Sequence, residues 1–224
     1  MNILVKLPSR ERPDQFMDVM RENVATCDDL SRVHWLFSFD HDDQTMWGIG
    51  AELGSLPIEG TIRFGHSKSK VEAINRDIGG LNEPGNIVPW EILLVLSDDM
   101  RPVFKGWDTV IREAFAECYT DGDGLIWFPD GYQKDICTIP CMGRKYYERT
   151  GWVYDPRFKS VFCDDLQTRQ ARDAGKLTYV DHQLFRHAHP ANDGKVRPDA
   201  LHKRNETQAI WDKDKALYNK LIRA

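Results

Sequence analysis

The sequence predicts an α/β fold in which a mostly parallel sheet is flanked by helices. Strand-like and helix-like segments alternate four times in the first half of the 224-residue chain. Segment 91–96 is apolar almost throughout, which is expected for a strand buried on both faces of a parallel sheet. The ends of the predicted strands carry charged clusters, and sheets of this class bind ligands beyond the carboxyl ends of their strands.

The first half is predicted from its hydrophobic spacing. Pro13 suits the first turn of a helix, and Phe16, Met20 and Val24 follow at four-residue spacing. The predicted elements are, in order, strand 2–7, helix 13–24, strand 34–39, strand 61–64, helix 68–78, strand 91–96 and helix 107–118.

The second half is less regular. Its predicted elements are, in order, strands 125–128 and 136–139, helices 142–150 and 164–174, and strands 178–180 and 184–187. Residues 190–199 are rich in Pro, Gly and Asp, which predicts a loop. From Asn205 onward, Ile210, Leu217 and Leu221 form the apolar stripe of an amphipathic helix that we expect to pack on the rest of the protein.

Composition excludes several classes of protein. Thirty Lys and Arg against 35 Asp and Glu give a net charge of -5, which argues against a basic nucleic-acid-binding surface over the whole protein. The apolar runs fall short of the roughly 20 residues of a membrane span, so we expect no span and a cytoplasmic location, or the host cytoplasm if a phage encodes the chain. The five scattered cysteines are expected to be reduced: Cys27, Cys118, Cys137, Cys141 and Cys163.

Adjacent carboxylates follow the most apolar strand at Asp98 and Asp99. Two neighbouring carboxylates repel each other, and a divalent cation such as Mg²⁺ or Mn²⁺ relieves that repulsion. The alternative is an ordinary solvated turn. His187 and His189 also follow a strand, and their alternation places both imidazoles on one side, where they either ligate a metal or lie on the surface.

Other acidic pairs allow two interpretations. Asp164 and Asp165 begin a predicted helix, where they cap the helix or present a general base. Asp40, with Asp42 and Asp43 after it, forms an Asx-turn or binds a ribose or a base edge.

Five segments in chain order resemble the GT-A glycosyltransferases, in particular the large inverting group that uses nucleotide-sugar donors. Residues 3–13, ILVKLPSRERP, are similar to that group's opening strand and Pro-Thr/Ser-x-x-Arg-Pro turn. Residues 38–43, SFDHDD, resemble the acid-ended second strand that holds the nucleoside, and residues 70–75, KVEAIN, the basic residue and Ala-x-Asn helix. Residues 94–99, LVLSDD, look like the strand before the D-x-D metal motif, and residues 142–165 resemble the acceptor half.

The resemblance implies a GT-A fold and assigns roles by position. Asp99 would hold Mn²⁺ or Mg²⁺, and His187 and His189 fall where some members place a histidine that completes the metal site. Asp164 or Asp165 would be the catalytic base. The implied donor-binding residues are Pro8, Ser9, Arg10, Arg12, Asp40, Lys70, Asn75 and Asp98, although Arg10, Arg12 and Asn75 also suit an ordinary surface.

Two motifs depart from the family pattern. Ser97-Asp98-Asp99 is not a strict D-x-D, and position favours Asp99 over Asp98 as the metal ligand. Residues 163–166, CDDL, replace the usual Glu-Asp-x-Asp, so that either aspartate can be the base, with Asp164 preferred. A turn is expected at Asp130, which in the alternative interpretation reaches the acceptor.

The implied reaction is metal-dependent sugar transfer, with inversion, from a nucleoside-diphosphate-sugar, expected to be a UDP-sugar, to an acceptor hydroxyl. The acceptor is open among a modified DNA base, a protein and a saccharide. The alternatives are nucleotidyl transfer to a sugar phosphate, disfavoured because segment 8–13 has no glycine, and a non-catalytic nucleotide-sugar-binding module. We expect one catalytic domain over 1–190, with a donor half (1–118) and an acceptor half (119–190), and a loop and helical extension over 191–224.

Overall fold

The computed structural model describes residues 1–82, 88–190 and 194–223. The strands within these residues are β1 Ile3–Pro8, β2 Val33–Asp40, β3 Glu59–Gly65, β4 Ile92–Val95, β5 Met100–Pro102, β6 Leu125–Trp127, β7 Pro140–Gly143, β8 Leu177–Tyr179 and β9 Phe185–His187. The helices there are α1 Pro13–Thr26, α2 Ile49–Leu53, α3 Lys70–Asn75, α4 Trp107–Cys118, α5 Arg144–Glu148, α6 Cys163–Asp173, α7 Ala200–Asn205 and α8 Gln208–Leu221.

The described strands form one seven-stranded sheet in the order β3-β2-β1-β4-β7-β6-β8, and a small second sheet of β5 and β9. The pairs β1–β2, β1–β4, β2–β3 and β6–β8 are parallel, whereas β7 runs antiparallel to β4 and to β6. The predicted mostly parallel α/β sheet is therefore confirmed.

The two faces of the sheet carry separate hydrophobic layers. On β1, Ile3, Val5 and Leu7 face a core built with α1, α2 and α4, whereas Leu4 faces a core built with α3, α5 and α6. Helix α8 packs against that second core through Leu217, Tyr218 and Leu221, which confirms the predicted amphipathic helix. No helix in the described ranges has the length and apolar character needed to cross a bilayer.

One strand lies later in the sequence than its prediction. The apolar segment 136–139 was expected to be a strand, but β7 begins at Pro140 and α5 begins at Arg144. The backbone N–H of Cys137 donates instead to Thr168 Oγ1 at 2.9 Å, so this part of the segment bonds to α6 rather than to the sheet. The expected reduced state of the cysteines fits the structure, in which all five are free thiols.

The fold brings the predicted charged ends together. β1, β2 and β4 are parallel neighbours, so residues 8–12, 40–43 and 97–99 leave the same edge of the sheet. The antiparallel pairing of β5 with β9 places His187 opposite Met100. The histidine segment therefore lies beside the Asp98-Asp99 turn.

Candidate functional site

A pocket opens at the carboxyl ends of β1, β2 and β4. Eleven of the residues predicted for the site line it: Pro8, Ser9, Arg10, Arg12, Asp40, Lys70, Asp98, Asp99, Asp164, His187 and His189. The two other predicted residues, Asn75 and Asp165, are not part of this lining.

The loop that follows β1 holds the carboxylate of Asp98. Its Oδ2 accepts a hydrogen bond from Ser9 Oγ at 2.5 Å, and its Oδ1 forms an ion pair with Arg12 at 2.7 Å. Burial and repulsion by Asp99 raise the pKa of Asp98 to about 6 despite the Arg12 guanidinium. Because both oxygens of Asp98 are bonded to protein groups, Asp98 belongs to the pocket wall, and Asp99 stays the predicted metal ligand of the two.

Asp99 lies against His187. The two side chains approach to 3.5 Å between Oδ1 and Nε2, and the backbone N–H of Ala188 donates to the Asp99 carbonyl at 2.9 Å. Burial acts to raise the pKa of Asp99, but His187 and the hydroxyl of Ser97 lower it below its usual range. In this structure the Asp99 carboxylate is therefore ionised at neutral pH.

The donor set of this pair suits a divalent cation held jointly with a substrate. Among the described residues, no group of three or more His, Cys, Asp or Glu side chains is arranged as a metal site. The Oδ1 of Asp99 and the Nε2 of His187 nonetheless line the same pocket 3.5 Å apart, close enough for one ion to contact both atoms. Mg²⁺ commonly takes one or two carboxylates and completes its shell with phosphate oxygens and water.

His189 faces a different partner. Its Nε2 lies 3.0 Å from Glu206 Oε1, and its ring centroid lies 5.3 Å from that of His187 and 4.9 Å from that of His202. Both predicted histidines thus line the pocket, but His187 is the one that contacts Asp99. For His189 to join a metal site, it would have to exchange Glu206 for the ion.

Asp40 presents an acceptor to the pocket at the end of β2. Its Oδ2 pairs with Arg10 at 3.0 Å, while its buried Oδ1 accepts no hydrogen bond from any described residue and lies 3.6 Å from Arg76. Arg10 also forms a bidentate pair with Asp42, at 2.6 and 2.9 Å. Arg10 therefore holds together Asp40 and Asp42 at the acidic end of β2. Asp43 forms the predicted Asx-turn with Thr45.

The C-terminal extension forms part of the pocket wall. The Nε and second terminal nitrogen of Arg12 bond to Asp199 at 2.7 and 3.0 Å. Four α7 residues, Leu201, His202, Arg204 and Asn205, line the pocket with Glu206. The sequence placed these residues in a separate extension, because contact with residues almost 190 positions earlier leaves no local pattern.

The two candidate bases have different surroundings. Asp164 lines the pocket beside Thr138 and Tyr154, whereas Asp165 lines a shallow depression with Asp135. Successive residues of a helix differ by about 100° in direction, so the first turn of α6 sends the two side chains apart. Burial, with repulsion by Asp164, raises the pKa of Asp165 to about 6. Neither aspartate caps α6, since its N-cap position is Phe162 with φ 61°.

Asn75 holds a loop rather than the pocket. Its Nδ2 donates to the carbonyl of Tyr154 at 2.6 Å, and its Oδ1 accepts the backbone N–H groups of Val153 and Tyr154 at 2.9 and 3.0 Å. These bonds fix the position of Tyr154, which lines the pocket. In this structure Asn75 therefore bonds to the loop beside the pocket, and its contact with a donor stays a prediction.

Sequence reasoning missed several residues that line the pocket and one that lies beside it. Ser67 and Ser69 line the pocket after β3, and the charged strand end at 65–70 was a signal for them. Thr138 and Tyr154 come from segments that were predicted as a strand and as part of the acceptor half. Asp130 was predicted as a turn, yet its carboxylate approaches His187.

The fold of this chain is similar to the folds of several solved structures. No family model and no curated protein matches the chain. A mannosyltransferase from Pyrobaculum calidifontis, PcManGT, solved with GDP-Man and Mn²⁺, matches with a TM-score of 0.63 and 11% identity over 81% of this chain and 55% of that one.

Two further structures give the same result. S. aureus TarS 1-349 with UDP-GlcNAc matches with a TM-score of 0.66 and 11% identity over 95% of this chain and 64% of that one. The catalytic domain of Drosophila β1,4-galactosyltransferase 7 with xylobiose has a TM-score of 0.55 and 13% identity over 96% and 79%. The chain thus spans just over half of PcManGT and less than two thirds of TarS 1-349. At such identities the likeness concerns the fold, and it shows that this chain has the GT-A fold expected from its sequence.

Proposed function

We propose that this protein is a metal-dependent glycosyltransferase that moves a sugar from a nucleoside-diphosphate-sugar to an acceptor hydroxyl. One observation carries the proposal: Asp40, the neighbouring pair of Asp99 and His187, and Asp164 all line one pocket at the carboxyl-terminal edge of a GT-A sheet. The likeness to structures that hold GDP-Man or UDP-GlcNAc supports this reading.

The nucleoside end of the donor would lie beside β2. The Oδ1 of Asp40 is buried and accepts no hydrogen bond from any described residue, so a ligand N–H that reaches it adds a hydrogen bond that the described residues do not make. An imide N–H of uracil meets that requirement, which supports a UDP-sugar as the donor. Pro8 and Ser9 form the adjacent wall of the pocket.

The diphosphate would lie between the cationic groups of the pocket. Asp99 and His187 would hold Mn²⁺ or Mg²⁺, which when bound neutralises the charge that develops on the departing diphosphate. Arg12 and Lys70 line the same space and add charge-assisted hydrogen bonds to phosphate oxygens. Together these groups stabilise the leaving group more strongly than the intact donor.

The acceptor hydroxyl would be deprotonated by Asp164. A base that lies across the pocket from the leaving group supports attack from the opposite face of the sugar, and therefore inversion. Asp164 meets the first condition for this role because it lines the same pocket as Asp99. Asp165 does not, since its side chain faces the depression with Asp135.

The test is release of nucleoside diphosphate from a panel of UDP- and GDP-sugars, with Mn²⁺ and with EDTA. We expect Mn²⁺-dependent release by the wild type, loss of release in Asp99→Ala, and wild-type release in Asp121→Ala, a control carboxylate that pairs with Lys145 away from the pocket. Pyrophosphate release from nucleoside triphosphates would instead indicate nucleotidyl transfer. Binding of nucleotide sugars without turnover would indicate a binding module.

A further inference from the structure

The carboxylate of Asp130 is buried and fixed in the turn that follows β6. Its Oδ1 accepts the backbone N–H groups of Tyr132 and Gln133 at 2.8 and 2.7 Å, and its Oδ2 accepts the hydroxyl of Thr138 at 2.7 Å. These three bonds hold the carboxylate in one orientation without any contribution from His187. Asp130 is thus a preorganised anion next to the pocket.

His187 is bonded to Asp130 through its backbone and lies close to the Asp130 carboxylate through its ring. Its backbone N–H donates to the Asp130 carbonyl at 3.0 Å, and its Nδ1 lies 3.8 Å from Asp130 Oδ2. Its other ring nitrogen, Nε2, lies 3.5 Å from Asp99 Oδ1. The imidazole therefore lies between two buried carboxylates, with one of its nitrogens towards each.

The Nδ1 atom has no alternative partner close by. It is buried and forms no hydrogen bond with any described residue, so the nearby Asp130 carboxylate is the acceptor that a small rotation of the ring would supply. A neutral imidazole carries one N–H and one lone pair, and an acceptor at one nitrogen decides which nitrogen keeps the proton. An acceptor at Nδ1 leaves the lone pair on Nε2, which faces Asp99.

We propose that Asp130 is the positioning residue of the metal site: it keeps the proton of His187 on Nδ1 and directs the Nε2 lone pair towards the ion beside Asp99. This inference rests on the proposed function, because it presupposes that Asp99 and His187 hold a divalent cation. Histidine ligands in proteins commonly donate their second N–H to a carboxylate, and loss of that partner typically lowers metal affinity about 10- to 100-fold.

The main experiment measures Mn²⁺ affinity directly, in the presence of UDP, from the electron paramagnetic resonance signal of free Mn²⁺. In Asp130→Asn we expect an affinity about 10- to 100-fold lower than in the wild type. UDP affinity without metal should stay unchanged, since Asp130 does not line the pocket. The asparagine keeps an oxygen for the turn, so circular dichroism should show a folded protein.

A second buried aspartate provides the control. Asp123 precedes β6, is also buried, and pairs with Arg149 at 2.6 Å and Lys176 at 2.9 Å without lining the pocket. Asp123→Asn should lower thermal stability and leave Mn²⁺ affinity unchanged. If both variants weaken Mn²⁺ binding equally, the effect of Asp130 is general to the fold and the inference is wrong.

A measurement on the wild type alone covers the case in which Asp130→Asn does not fold. Long-range ¹⁵N–¹H correlation spectra of the complex with Mg²⁺ and UDP report which nitrogen of His187 carries the proton, and we expect Nδ1. A proton on Nε2 would overturn the inference. The proposed function fails separately if the wild type binds no Mn²⁺, or if His187→Ala leaves Mn²⁺ affinity unchanged.

Discussion

Asp164 and Asp165 are neighbours in the chain with opposite surroundings. Asp164 lines the pocket, and Asp165 lies in a separate depression where burial raises its pKa to about 6. A catalytic base must reach the acceptor, so geometry decides between them before pKa does. The raised pKa of Asp165 follows from its burial and its charged neighbour, and the geometry favours Asp164 as the proposed base.

A pair of isosteric variants separates the two residues. Asp164→Asn should lower kcat by about 10²- to 10⁴-fold, because a general base contributes about that much, while KM for the donor stays within about twofold. Asp165→Asn should keep kcat within about threefold of the wild type under that assignment. Steady-state release of nucleoside diphosphate at saturating donor, with water as the acceptor, measures both. The reverse order of effects would assign the base to Asp165.

The buried side chain of Lys6 leads to a prediction of how the free energy of unfolding changes with pH. Its side chain is fully buried on β1, bonds to the hydroxyl of Ser38 and donates to the carbonyl of Arg76 at 2.9 Å. Burial lowers the pKa of Lys6 to about 7, whereas an unfolded lysine titrates near 10.5. Between these pH values the unfolded chain binds more protons than the folded one, so the free energy of unfolding contributed by Lys6 rises with pH.

Denaturation in urea at pH 7, 8, 9 and 10 measures the slope of the free energy of unfolding against pH. One proton contributes up to about 1.4 kcal/mol per pH unit. Lys6→Met removes the titrating group and should flatten the slope by about that amount relative to the wild type, whereas Lys145→Met on the exposed surface should not. Parallel slopes for wild type and Lys6→Met would show that Lys6 keeps its usual pKa.

At the scale of helices and strands, the sequence predicted those features that depend on a local pattern of residues. The apolar period places β1, β2, β4 and α1 near their observed bounds, and the charged residues after those strands converge in the pocket because parallel neighbours end at one edge. Contacts between distant segments leave no such pattern. Only the folded structure therefore shows two of the contacts. These are the hydrogen bonds from Asn75 to residues 153–154 and the approach of Asp130 to His187.

Helix α8 is joined to the site by one buried carboxylate. Asp214 is 0% exposed and accepts the backbone N–H groups of Lys159, Ser160 and Val161 at 2.8–3.1 Å. This loop leads through Phe162 into α6, whose first turn carries Asp164. The C-terminal helix therefore holds the loop that positions the proposed base.

Removing that charge should affect both stability and catalysis. Asp214→Asn places an amide N–H₂ where backbone donors need an acceptor, which should lower the free energy of unfolding by about 1–3 kcal/mol. We also expect a lower kcat with a smaller change in KM for the donor, since α6 loses its anchor. Asp212→Asn, on the exposed face of the same helix, is the matched control for chemical denaturation and kinetics. A normal kcat in a destabilised Asp214→Asn would show that the anchor is structural alone.

At the scale of the whole molecule, the pocket is assembled from the two ends of the chain. Arg12 follows the first strand, and its guanidinium is divided between Asp98 in the pocket and Asp199 in the C-terminal segment. The same segment places Glu206 on His189. Carboxylates of residues 199–206 thus occupy Arg12 and His189, two pocket groups that a diphosphate would also contact. Donor binding would therefore compete with this contact between the two ends.

Asp199→Asn tests that competition cleanly, because Asn caps a helix as well as Asp does and so preserves the N-cap of α7. The Asp199 side chain is 43% exposed, so its ion pair with Arg12 is a weak one, of about 0.5–1 kcal/mol. Releasing Arg12 should therefore tighten UDP binding about two- to fivefold by isothermal titration calorimetry, while slightly lowering Tm in the absence of ligand. Asp212→Asn should change neither quantity. Weaker UDP binding in Asp199→Asn would mean that the segment helps to hold the donor, in which case the two ends of the chain cooperate around the diphosphate instead of competing with it.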